Sequence, residues 1–260
     1  VMLAESGWFE QGAILGGGVP GSDGGGCGGS GPRMIPACGG AFGKYGSVSG
    51  RIDMVAGQEV LFAAIRDGYM DLVRSGESME EGVLGEFTTT FEEGQRFFAV
   101  ISGMANTEGF APNPDGRSTG LQLYVKDNYQ PVAESQETVR LFAGHFVPDG
   151  AAMEITFDGT AQTLACLRYG DMGTGVSLSP GVYQMTMVMY GDAPGKTGSV
   201  AAEKTVELDL RERGGETIAL FASGFVNPAE NNDGPALDLQ THTAEGETTT
   251  LGEESTDIVE

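Results

Sequence analysis

The sequence is poor in most of what catalysis needs. It holds two histidines, His145 and His242, three cysteines and one tryptophan in 260 residues. A Ser-His-Asp or Cys-His site would have to use one of those two imidazoles. No nucleophile motif, phosphate loop or HExxH signature accompanies them. Positive charge is scarce too: 14 Lys and Arg stand against 37 acids, for a formal charge of −23. A field of that sign repels phosphate backbones and anionic lipid, which argues against nucleic-acid partners. No apolar run approaches the roughly 18 residues of a membrane helix, and the helical period is almost missing. The chain begins with Val rather than Met and shows no signal peptide, so the expectation is that an N-terminal piece has been removed.

What is present is alternation. Apolar and polar residues exchange along "AMEITFDG" (152–159), "GVYQMTMVMYG" (181–191), "KTVELDL" (204–210) and "ETIALFASG" (216–224). Gly, Pro, Asn and Asp clusters cut the pattern into short pieces, which read as the strands of a β-sandwich or barrel. Some of these pieces are written twice. At an offset of 124, "YGSVSGRIDMVAG" (45–57) lies on "YGDMGTGVSLSPG" (169–181). At 138, residues 1–15 lie on 139–153, with Val1, Leu3, Gly12 and Ala13 identical to their partners. At 121, residues 94–106 lie on 215–227, with Gly94, Ser102, Gly103 and Asn106 identical. Three ordered matches point to an internal duplication.

The expected fold is therefore all-β: two tandem antiparallel β-sandwich domains, Ig-like or transthyretin-like. The first repeat spans 1–132 and carries a glycine-rich insertion at 16–40. Residues 133–138 form a linker, 139–247 the second repeat, and 248–260 an acidic C-terminal tail. Such a tail buries too little to offset the cost of ordering, unless a strand edge takes it up. The second repeat carries a resemblance. His145, Pro148, Asp149, Ile155, Phe157, Asp158 and Gly159 mark a strand, a Pro-Asp turn, an alternating strand and an Asp-Gly turn. "YGDMGTGVSLSPGVYQMTM" follows them. This resembles domain-of-unknown-function family 4397, which implies tandem β-sandwiches in exported or cell-surface proteins with no established activity.

Tyr183, Met185, Met187 and Met189 share one strand face, which reads as core packing rather than a soft-metal site. His145 occupies a turn position and is expected to be structural; His242 has no evident partner. The paired acids Glu80-Glu81 and Glu92-Glu93 read as solvated charge. The loops 106–120 and 227–238 are rich in hard oxygen ligands, and Asp115, Glu230, Asn232 and Asp233 are the calcium candidates. EF-hand spacing is missing, however, and plain turns need the same residues. No other cofactor is expected. Cys27 and Cys38 bracket a floppy glycine-rich stretch and are expected to form a disulfide. Cys166, within a strand, is expected to be a buried small hydrophobe.

The functional expectation is a non-enzymatic extracellular or cell-surface structural protein. It would self-associate into a homo-oligomer, filament or surface layer by strand addition. The alternative is an adhesion or ligand-binding module that reads glycan or a partner protein through the Asn/Asp-rich loops. Phe110 is the one aromatic residue those loops offer.

Overall fold

The computed structural model describes residues 13–16, 56–57, 59–65, 82–191 and 199–252. The Cys27–Cys38 pair, Glu80-Glu81, most of the glycine-rich insertion, nearly all of the first-repeat stretches at 1–15 and 45–57, and the terminal residues 253–260 lie outside them. Among the described residues there is no α-helix, and none is long and apolar enough to cross a membrane. The fold is all-β. It divides into two compact units, Val1–Thr107 with Gly120–Tyr129, and Glu108–Thr119 with Gln130–Glu260.

In the first unit, β1 (Ala13–Gly16), β2 (Glu59–Ile65) and β3 (Val83–Thr90) form one antiparallel sheet in chain order. β4 (Phe97–Ser102) and β5 (Gln122–Asp127) form a second. Val60, Phe62, Ala64, Phe91 and Ile101 make the buried core between them, and Phe91 stacks on Phe97 at 3.5 Å.

The second unit is a fuller sandwich. One sheet has the order β11-β10-β7-β8, from β7 (Met153–Phe157), β8 (Thr163–Leu167), β10 (Val182–Tyr190) and β11 (Val200–Asp209). The other has the order β14-β13-β12-β6-β9, from β6 (Val139–Phe146), β9 (Val176–Leu178), β12 (Thr217–Ser223), β13 (Asp238–Thr243) and β14 (Thr248–Thr250). The period of two predicted for β10 is realised. Met185, Met187 and Met189 are fully buried against Ile155, Phe157, Leu141 and Leu220, while Gln184 and Thr186 point away. The methionines are core.

One pairing departs from the antiparallel expectation. β6 and β12 run parallel, with Arg140 opposite Thr217 and Phe146 opposite Ser223. Parallel pairs are found buried on both sides, and β6 fits that rule. Val139, Leu141 and Ala143 face the sandwich core, while Phe142 and Phe146 on the other face are also buried and meet Phe221 at 6.1 and 5.3 Å.

Three expectations are corrected here. The segment 133–138, expected as a short linker between the repeats, is bonded into the second unit: Ala133 N–H donates to Gly215 O, and Gly215 N–H to Thr138 O, each at 2.8 Å. The tail does not begin at 248. Gly246, with φ of 95°, turns the chain so that β14 pairs with β13, and Leu251 is buried and donates its N–H to Leu239 O. A single apolar anchor beside three β-compatible threonines is enough to add an edge strand. Finally, Cys166 is exposed, because a bulge between β7 and β8 leaves it at φ of 58° with its side chain turned outward. In the folded protein Cys166 should therefore react with a maleimide at close to the rate of a free thiol. Protection of Cys166 until denaturant is added would contradict this placement.

The stretches that match at an offset of 121 have like backbones. Gly103 and Gly224 both have positive φ (109° and 82°), and at each a Cβ would run into a carbonyl oxygen, that of Gly120 or Ala236. Each is followed by a parallel bridge, Met104 with Gly120 and Phe225 with Ala236. Only glycine meets both requirements.

Candidate functional site

The polar residues of the second unit converge on one turn, Pro148-Asp149-Gly150, which joins β6 to β7. Proline presets the turn's entry, and Gly150 N–H closes it on Val147 O at 3.2 Å. Beneath it lies His145, fully buried. Its Nε2 is 2.7 Å from Ala151 O, and Val147 N–H donates to Nδ1 at 3.2 Å. One tautomer satisfies both bonds: Nε2 carries the proton and Nδ1 accepts. Tyr169 meets the ring edge-on at 6.3 Å. Burial lowers the imidazole pKa to about 4, although the Ala151 bond and the Asp171 charge oppose it. With both nitrogens committed to the backbone, this histidine holds a turn. His242, in β13, is likewise buried, with Nδ1 3.0 Å from Thr248 Oγ1 and the ring 5.0 Å from Phe221. Desolvation lowers it to about 4 as well.

Above the turn, Asp149 is saturated with donors. Its carboxylate accepts from Val226 N–H, Asn227 N–H and Asn231 Nδ2, at 2.8, 2.8 and 2.9 Å. Asn231, fully buried, also donates to Asn227 O and accepts from Ala111 N–H. From the segment 108–119, Asn113 Nδ2 donates to Pro148 O (2.8 Å) and Gly150 O (3.0 Å), while its Oδ1 accepts from Asp115 N–H and Arg117 N–H. Arg117 donates to Tyr169 O and pairs with Asp171, whose carboxylate also takes Arg168 N–H. Two buried asparagines thus grip one turn from two loops.

The calcium candidates occupy this neighbourhood without forming a cage. Glu230 sits in a short 3-10 turn, Pro228–Glu230, and is exposed. Asn232 and Asp233 are exposed and both have φ of 54°, as turn residues do. Asp115 differs: its side chain is 2% exposed, neither carboxylate oxygen accepts a hydrogen bond, and Arg168 Nε is 4.0 Å away. Among the described residues no group of three or more His, Cys, Asp or Glu converges on a point. Phe110 is half-buried, stacked on Phe225 at 5.9 Å.

Asp149 is expected from the sequence as a turn residue, whereas Asn113 and Asn231 are not singled out there. The signal was there, since "NPDG" (113–116) and "NNDG" (231–234) repeat one motif. In each, the first Asn carries the buried bonds, and its carbonyl accepts the glycine N–H three residues on. Attention to hard oxygens selected the exposed neighbours instead. Comparison of the chain with protein-family models, with curated proteins and with solved structures finds no match.

Proposed function

We propose that this chain is a non-enzymatic structural protein of an exported or cell-surface assembly. In this reading it is built from a duplicated β-sandwich of the kind in domain-of-unknown-function family 4397, and it associates with copies of itself through sheet edges. The alike backbones around Gly103 and Gly224 support the duplication. The observation that carries the assembly reading is β11. Among the described residues it ends its sheet; it is ten residues long and opens with the exposed, uncharged Val200 and Ala201. Long edges invite strand addition. Beside it a cleft of about 270 Å³ runs to β14, lined by Leu208, Arg213, Thr241, Glu247 and Gly252. β14 already occupies the β13 edge within its own chain, so the donor in such an assembly is not 248–250.

Sedimentation at rising concentration, in salt high enough to screen the net charge, tests this reading. Oligomers should grow with concentration, and Val200→Lys with Ala201→Lys should abolish them without changing thermal stability. A wild-type chain that stays monomeric ends the reading. An adhesion or ligand-binding module is the second reading, favoured by Asp115, whose buried carboxylate lacks a donor. A melting temperature that rises with millimolar calcium favours it. One that does not move removes calcium from the account.

A further inference from the structure

We infer that the segment 108–119 is an acid-releasable strap, latched to the second unit by the His145 turn. The strap's contacts with the rest of the unit include Asp115 with Arg168 Nε at 4.0 Å and the following. Ala111 N–H is held by Asn231 Oδ1, Asn113 holds the carbonyls of Pro148 and Gly150, and Arg117 holds Tyr169 O and the Asp171 carboxylate. Phe110 lies on Phe225.

Two of these anchors bracket His145. Pro148 and Gly150 belong to the turn above the ring. Tyr169 and Asp171 belong to the segment that is bonded to the histidine's own backbone, through Gly170 N–H to His145 O and His145 N–H to Asp171 O. The latch and the ring are therefore built from the same few residues.

The ring tolerates one proton. A second, on Nδ1, would aim an N–H at Val147 N–H, replacing a hydrogen bond with two opposed donors. The charges that face the ring are Asp171 and Arg117, and they are paired with each other at 2.7 Å, so neither is free to welcome an imidazolium. Tyr169 presents a ring edge. Ala151 offers a carbonyl already in use, and the turn's own acid, Asp149, is bonded to 226, 227 and 231. A charged His145 gains by reaching water, and the way to water is to open the turn, which frees the carbonyls that Asn113 grips. Coupling of this kind is reciprocal: losing the strap must also make His145 easier to protonate.

The size follows from linkage. Burial holds the ring at about 4, against 6.5 in the ordinary state. If the open form restores the ordinary value, the opening equilibrium rises about 30-fold between pH 8 and pH 5.

Hydrogen exchange on the full chain, expressed as protection factors, reads this directly. The strap amides of Ala111, Asp115 and Arg117 should lose about 30-fold in protection from pH 8 to 5, in excess of any loss in the β10 amides. His145→Gln, which keeps a donor toward Ala151 O but cannot gain charge, should abolish that step. Strap protection that does not change with pH, or that falls only in parallel with β10, overturns the proposal. Should His145→Gln fail to fold, an NMR titration of the His145 ring in Asn113→Ala decides. A midpoint that moves up toward 6.5 supports the latch, and one that stays near 4 overturns it.

Discussion

Lowering the pH from 7 to 4 is expected to remove about 6 kcal/mol of folding stability from the second unit, the largest effect expected for this chain. Two groups carry it. His145 and His242 each have a folded-state pKa of about 4, below the ordinary 6.5, with burial as the leading cause. Between those values the unfolded chain binds more protons than the folded one, so stability falls as the pH falls. The contribution is complete above 6.5, declines through the window, and is flat below 4. Each shift corresponds to about 3 kcal/mol. Asp209, held down at about 2 by Arg211, is exposed and titrates below this window. Urea midpoints measured at half-unit pH steps should trace the decline, and His242→Gln should remove about half of it. A midpoint constant from pH 7 to 4.5 would mean that both rings are hydrated in the folded protein, and a decline of half the size that one of them is.

Asn231→Ala is expected to destabilise the second unit by about 3 kcal/mol. The side chain is fully buried and bonds three separate elements: the Asp149 carboxylate, the Asn227 carbonyl and the Ala111 amide. Alanine leaves that amide without its partner, the Asn227 carbonyl with Glu230 N–H alone, and Asp149 with two donors in place of three. Glu230, one residue earlier, is exposed, and Glu230→Ala should stay within about 0.5 kcal/mol of wild type. The contrast separates the hub from its surface. Equal effects of the two substitutions in chemical denaturation would show that the asparagine network carries no stability.

The strands were legible because period two is a local property. The methionine face of β10 could be assigned to the core from "VYQMTMVMY" alone, since three thioethers on one side of a strand with no harder ligand nearby have one use. The parallel pairing of β6 with β12 was not legible, because register between segments so far apart leaves no mark on either. Which strand edge takes up the start of the tail was not legible for a related reason. "ETTTLG" is polar in composition, and it is one leucine, Leu251, meeting a strand edge that makes it structure. In the candidate site, His145 has the structural role expected from its company, Pro148 and Asp149, but it stands in β6 and holds the turn from beneath rather than lying in it. The buried asparagines were missed because Asn in a loop looks the same whether it faces water or holds a neighbouring turn. Cys166 was misplaced because alternation assigns faces only while the strand stays in phase, and the bulge between β7 and β8 breaks the phase.

The parallel pair also sets a timetable. Arg140 and its partner Thr217 are 77 residues apart in the chain. At a synthesis rate of about 5–20 residues per second, β12 emerges roughly 4 to 15 seconds after β6. Until then β6 has on its other side the short β9, opposite Val139, Arg140 and Leu141, and the bridge of Gly144 with Met172. A strand that is apolar on both faces, with an open edge, is a sticky object in a growing chain. The nascent protein should bind a holdase chaperone in that interval, and slowing translation between residues 146 and 217 should lower the yield of native protein more than slowing it elsewhere.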